Sequence, residues 1–171
     1  MKKLLITFHT IIFCLTSSVG WGETINDLIM RDGLYYKKFT DVPFSGKVTG
    51  KKQGQLKIGI KEGLWNYYHD NGQLHEKGSY KKNIKDGNWV SYKETGELIY
   101  KGSYNQGIKE GYWIESRVWM DYSKFFMFKD YSFYKNGIKD GLYERKFRNG
   151  QLKYKGILKN GKQEGKWEEY T

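Results

Sequence analysis

Lys61-Glu62-Gly63-Leu64-Trp65-Asn66-Tyr67-Tyr68-His69-Asp70-Asn71-Gly72-Gln73-Leu74 is the stretch that decides the fold, because its first five residues return down the chain. The copies begin Lys85-Asp86-Gly87-Asn88-Trp89, Lys109-Glu110-Gly111-Tyr112-Trp113, Lys139-Asp140-Gly141-Leu142-Tyr143 and Gln163-Glu164-Gly165-Lys166-Trp167. Their starts lie 24, 24, 30 and 24 residues apart, so one unit carries six extra residues. A fixed period of this size marks a repeat architecture, in which each small unit buries its apolar side only by stacking on the next.

Within residues 63–86, Gly63 to Tyr68 is short and rich in aromatics, as strands are. Asn71-Gly72 tolerates positive φ and predicts a tight hairpin turn. Leu74 to Tyr80 forms the return strand, with Leu74, Glu76, Gly78 and Tyr80 on one face by period-two alternation. Lys81-Lys82-Asn83 turns the chain into the next copy. The expected fold is therefore all-β, an elongated single-layer antiparallel sheet of successive hairpins of about 24 residues. Four slots recur: Trp65, Trp89, Trp113, Tyr143 and Trp167; Leu74, Leu98, Phe128 and Leu152; Gly78, Gly102, Ser132 and Gly156; Tyr80, Tyr104, Tyr134 and Leu158. Glycine inside a strand often marks a close approach by another group. A glycine slot beside an aromatic slot predicts rings lying flat across the gaps, giving a thin sheet a core without a second layer.

Residues 23–60 read as a degenerate N-terminal cap, of the kind repeat arrays require. Phe44 to Val48 suggests a strand, Gln53 to Leu56 a turn and a shorter return strand, and Pro43 a boundary. Residues 61–171 carry the repeats, with the insertion at about 115–128. Before the cap, Met1-Lys2-Lys3, an apolar run from Leu4 to Val19 and Gly20-Trp21-Gly22 describe a secretory leader over residues 1–22, cleaved after Gly20 or Gly22. An uncleaved anchor is the alternative, although a run of 16 residues is short for a bilayer span of about 20. Cleavage would remove two lysines and Cys14, leaving 28 basic against 19 acidic residues, a charge of +9 and no thiol. A periplasmic or secreted location follows from the leader. The aromatic content of 18% rules out a disordered chain.

With Lys61-Glu62-Gly63-Leu64-Trp65, Tyr68, Asn71-Gly72-Gln73-Leu74, Lys77-Gly78-Ser79-Tyr80 and their counterparts through Tyr170, the chain resembles the MORN-repeat variant family of bacterial YwqK-type antitoxin repeat proteins. Pro43 to Val48 resembles the segment that precedes the first repeat in that family. The resemblance covers about residues 31–171. It implies an elongated, curved sheet of hairpins and points to scaffolding or membrane-proximal roles, with toxin neutralisation implied by the family's label.

Candidate chemistry is sparse. The insertion replaces the expected Asn-Gly turn, and Arg117, Trp119, Tyr122, Lys124, Phe125 and Phe126 form a candidate partner-binding patch, because Trp, Tyr and Arg dominate interface hot spots. The alternative is a longer hairpin that folds over the sheet and buries its own rings. Lys81, Lys82, Lys85, Lys109, Lys135, Lys139, Lys159 and Lys162 crowd the turns and would line one edge, as a basic stripe for anionic lipid or as solvated turn residues. His69 and His75 flank a turn with Asp70 nearby, and solvation explains them better than a metal. The once-per-unit acids Glu62, Asp86, Glu110, Asp140 and Glu164 read as turn residues. No catalytic residues, cofactor, metal or nucleic-acid partner are expected. The expected function is an exported, non-catalytic scaffold binding a macromolecular partner in the envelope, most simply a protein. Peripheral attachment to anionic membrane through the lysine-rich edge, and neutralisation of a protein toxin, are the alternatives.

Overall fold

The computed structural model describes residues 22–121 and 124–170, with side chains over that range except at 119–121 and 124–125. The leader expected at residues 1–22 lies outside the described residues except for Gly22. The strands are β1 (Glu23–Thr24), β2 (Leu28–Arg31), β3 (Leu34–Lys37), β4 (Gly46–Thr49), β5 (Lys52–Lys57), β6 (Ile60–Tyr68) and β7 (Leu74–Lys81). There follow β8 (Ile84–Tyr92), β9 (Leu98–Asn105), β10 (Ile108–Asp121), β11 (Lys124–Lys135), β12 (Ile138–Phe147), β13 (Leu152–Lys159) and β14 (Lys162–Glu169). From β4 to β14 each strand pairs antiparallel with the next, in one open sheet that does not close into a barrel. β1 adds to β4 in parallel, and the β2–β3 hairpin stands apart from the sheet. Among the described residues no helix is long and apolar enough to cross a membrane.

The glycine slot works as the sequence predicts. A Cβ placed on Gly78 would lie 2.1 Å from Trp89 Cδ2, and one on Gly102 would lie 2.1 Å from Trp113 Cδ2. Gly156 stands in the same relation to Trp167. The indoles of Trp65, Trp89 and Trp113 are buried in the space this frees. Trp65 stacks on Tyr67 at 6.1 Å between centroids, whereas Trp89 and Trp113 meet tyrosines edge on. Tyr80 meets Trp89, and Tyr104 meets Trp113, edge to face at 5.0 Å between centroids. That herringbone is the arrangement the ring quadrupoles favour.

Three features depart from the sequence reading. The leading glycine is not an ordinary strand residue. In the β7–β8 ladder Gly78 opposes Trp89 while Ser79 opposes Asp86, so Gly87 and Asn88 are extra. Gly87 has φ of 72°, a conformation glycine adopts without penalty. The same two-residue bulge recurs in front of each aromatic from Trp65 to Trp167. It makes room to lay the following ring back over the preceding strand's glycine.

Secondly, positive φ at both central residues, the requirement of the tightest hairpins, belongs to the turns between units: Lys82-Asn83, Gln106-Gly107, Asn136-Gly137 and Asn160-Gly161. Asn71-Gly72 uses it only at Gly72, in a wider turn closed by His69 N–H donating to Gln73 O at 2.9 Å. Thirdly, the cap is more regular than the sequence suggested. Lys52–Lys57 is one strand, not a turn and a stub, and Gly54 lies beneath Trp65 as a further glycine slot. Leu28, from the separate hairpin, closes the end of this core with Val48, Leu56 and Trp65.

The insertion lengthens strands. β10 and β11 stay in register out to Asp121 and Lys124. Pairing to the flanking strands stops at Glu115 on β10 and at Phe128 on β11. Residues 118–121 and 124–127 therefore pair only with each other, as a two-stranded ribbon beyond the sheet margin.

Candidate functional site

Alternation along each strand gives the sheet two faces, and the repeated slots fill only one of them. That tryptophan face also takes the lysine that opens each unit. Lys61 Nζ lies 5.0 Å from the Trp65 ring, Lys85 4.0 Å from Trp89, Lys109 4.3 Å from Trp113 and Lys139 5.0 Å from Tyr143. These are cation–π distances. Of the eight lysines expected along the turn edge, Lys85, Lys109 and Lys139 turn inward over rings, while Lys81, Lys82, Lys135, Lys159 and Lys162 stay exposed. Burial pulls the Lys61 and Lys139 ammonium groups below the usual lysine range. It drives the phenols of Tyr67, Tyr100, Tyr134 and Tyr143 well above theirs.

The acid of each unit does not pair with its neighbouring lysine. Glu62 accepts from Lys82 N–H at 3.0 Å, Asp86 from Gln106 N–H at 3.2 Å, Glu110 from Asn136 N–H at 2.9 Å and Asp140 from Asn160 N–H at 3.1 Å. Beside each, the preceding lysine's carbonyl accepts a second N–H of the same turn, as Lys85 O does from Gly107 at 2.8 Å. Each of these four units thus fastens the turn that follows it, and for Glu62, Asp86, Glu110 and Asp140 the turn-residue reading stands.

One carboxylate pair is buried. Glu115 and Asp130 are cross-strand partners whose side chains are 12% and 2% exposed. Arg145 grips Asp130 bidentately at 2.7 and 2.9 Å. Glu115 accepts from Lys109 and from Tyr134 Oη at 2.9 Å. Burial would raise the Glu115 carboxyl, but Lys109, Tyr134 and Lys139 outweigh it and hold it below the usual range. Neither acid lines either of the two cavities described below. For Glu115 the lowered value suits an anchored ion pair, since a proton donor needs a raised pKa.

The insertion residues divide. Arg117 lies 3.6 Å from Glu115 and 3.7 Å from Asp130, so it joins this network. Phe126 stacks on Phe128 at 6.1 Å, and Phe128 packs on Phe147 at 5.3 Å. Trp119, Lys124 and Phe125 fall on the ribbon with side chains outside the described set, and Tyr122 lies outside the described residues. At the ribbon's root a cavity of about 260 Å³ is lined by Lys93, Glu97, Val118, Lys129 and Arg148 among others. Glu97 takes Lys93 at 3.0 Å and Arg148 at 2.8 Å, which together hold its carboxyl below the usual range. Glu97 belongs to the β8–β9 tip and Arg148 to the β12–β13 tip, so the pair bridges β10 and β11.

His69 and His75 do face each other, at 4.5 Å between rings. His69 Nε2 is bonded to Tyr92 O at 2.9 Å and Asp70 is drawn to Lys51 at 2.7 Å. Among the described residues no three His, Cys, Asp or Glu side chains cluster as a metal site would require.

The other face is the one sequence reasoning missed. Leu64, Tyr112, Phe133, Leu142 and Ile157 occupy it and are 38–51% exposed. Tyr112 opposes Phe133 and Leu142 opposes Ile157, so the four form one patch. Lys77, Lys81, Lys101, Lys135 and Lys159 share this face and have no ion pair among the described residues. Between Leu64 and Tyr112 the same row holds the small residues Ser79, Asn88 and Ser103. The dip they leave is a groove of about 650 Å³ across β6–β10, with Val90 and Ile114 in its lining. Farther along, Ile84, Ile108 and Ile138 line the turn edge beside Lys81 and Lys135 and stay about half exposed. The signal was present: each member directly precedes or follows a tryptophan-face residue, and alternation sends it to the other side. No protein-family model matches the chain, and no curated protein matches it.

Proposed function

We propose that this chain is a non-catalytic repeat scaffold that holds a macromolecular partner, most simply a protein with an acidic surface, against its open face. With the leader, it would act in the cell envelope after export. The observation that carries this reading is the unequal treatment of the two faces. Apolar surface left exposed in a contiguous patch marks interaction sites, and Tyr112, Phe133, Leu142 and Ile157 form one beside unpaired lysines. The resemblance to MORN-type repeats agrees with a binding role. Affinity capture from the native envelope, followed by mass spectrometry, tests it. Wild-type protein should retain a partner that Phe133→Ser and Leu142→Ser together release. Capture that survives both changes would sink the reading.

A second reading, attachment to anionic membrane, is favoured by the isoleucine and lysine residues of the turn edge. Exposed apolar side chains among cations suit a lipid interface. Co-sedimentation with phosphatidylglycerol vesicles, abolished by salt and by Ile108→Ser with Ile138→Ser, would select it over the first.

A further inference from the structure

We infer that the groove across β6–β10 on the open face receives a linear acidic polysaccharide. This rests on the open face being the binding face, and it gives that face a ligand class distinct from a protein.

The groove's charge is one-sided. Lys77 and Lys101 are exposed in its lining, and no carboxylate lines it. They stand on β7 and β9, two strands apart, which places their backbones about 10 Å from each other. Their register partner Val90 lies between them. A ligand must therefore bring negative charge at intervals, over a floor with an apolar strip. Beside the apolar Leu64, Val90 and Ile114, the uncharged polar groups of the lining are the hydroxyls of Ser79 and Ser103, the amide of Asn88 and the phenol of Tyr112. Ser103 donates to Asn88 Oδ1, which leaves the Asn88 amide N–H groups as donors. The Tyr112 ring, 49% exposed, closes one end, and Leu64 closes the other.

That chemistry separates a glycan from a peptide. Main-chain groups of the five strands are committed to their own ladders, so a peptide laid across this face could not extend the sheet. It would bury backbone N–H and C=O groups against few partners, and unmet groups of this kind are costly. A chain of uronic-acid sugars has no such demand. Its outer hydroxyls stay in water, its inner ones meet Ser79, Asn88 and Ser103, and its C–H faces lie on Tyr112, Val90 and Ile114. Its carboxylates repeat along the chain toward Lys77 and Lys101. The groove crosses about 19 Å of sheet, room for several sugar rings.

The test is calorimetric titration of the full protein with oligogalacturonate, malto-oligosaccharide of equal length and poly-glutamate. Oligogalacturonate should bind and weaken with added salt, and the neutral oligomer should not bind. Lys77→Ala with Lys101→Ala, and separately Tyr112→Ala, should each lower the affinity about tenfold or more. These side chains are exposed, so unchanged circular dichroism and melting would show intact folding. Absence of oligogalacturonate binding overturns the inference. So does poly-glutamate binding as tightly and indifferent to Tyr112→Ala, which would mean undirected charge attraction. A protein captured through Phe133 and Leu142 but indifferent to the lysine changes, with no glycan bound, would leave the proposed function standing and remove this inference alone.

Discussion

The two faces of this sheet are built from alternate residues of the same strands, yet they follow opposite rules. On the tryptophan face residue type repeats in most units, cations lie over rings or on acids, and Trp65, Trp89 and Trp113 are buried. On the other face the slot before the aromatic reads Leu64, Asn88, Tyr112, Leu142 and Lys166, four residue types in five places. A single layer has no second sheet to supply a core, so one face must become the core itself. That demand fixes its residues and leaves the other face free to vary.

The comparison breaks hardest at the glycine slot. Gly102→Ala puts a methyl into the Trp113 ring, and the displaced indole should cost about 3 kcal/mol or more. Calorimetric melting measures it. The chain contains its own compensation, because Ser132 fills the slot where Tyr143 replaces tryptophan. Gly102→Ser with Trp113→Tyr should therefore cost less than the sum of the single changes, read as a double-mutant cycle. Strict additivity would mean that the slots are independent.

Next in size is the buried pair. Arg145→Ala removes the bidentate partner of Asp130 and leaves it weaker contacts such as the more distant Arg117, and weakening a charge pair at that depth should cost about 3 kcal/mol. Denaturant melts would report it, and Asp130→Asn added to Arg145→Ala should recover part of the loss.

A smaller, pH-linked effect follows from Glu115. Its folded carboxyl titrates below the ordinary value of 4.5, so its stabilisation is complete above that value. It disappears as pH falls through the lower folded value. Melting temperature should fall more steeply with acidification in wild type than in Glu115→Gln, and parallel acid limbs would contradict the assignment. Smallest of all, Leu64→Ser and Phe133→Ser should shift stability by about 0.5 kcal/mol or less, as exposed positions do. A large loss at either would show that the open face helps to hold the fold.

What could be read in the sequence follows the same division. The hairpins, the glycine–ring contacts and the lengthened unit were legible because repetition amplifies them. The bulge at each leading glycine was not, since Gly63 and Gly87 fit a strand start equally well by composition. Lys85 lies four residues before Trp89, so alternation already puts both on one face, but its place among the turn lysines made it read as solvated. Searching for identical slots also hid the open face, where Ser79, Ser103, Phe133 and Ile157 hold equivalent places with unlike chemistry. A filter for sameness removes the residues through which one unit differs from the next.

The acid-to-turn fastening has a direction. Glu62, Asp86, Glu110 and Asp140 each reach toward the turn that follows in sequence. A chain that emerges from its N-terminus therefore presents each new turn to an acceptor already in place. Folding from that end would extend the sheet one fastened turn at a time, and a unit stalled midway would wait for its successor beside a finished template.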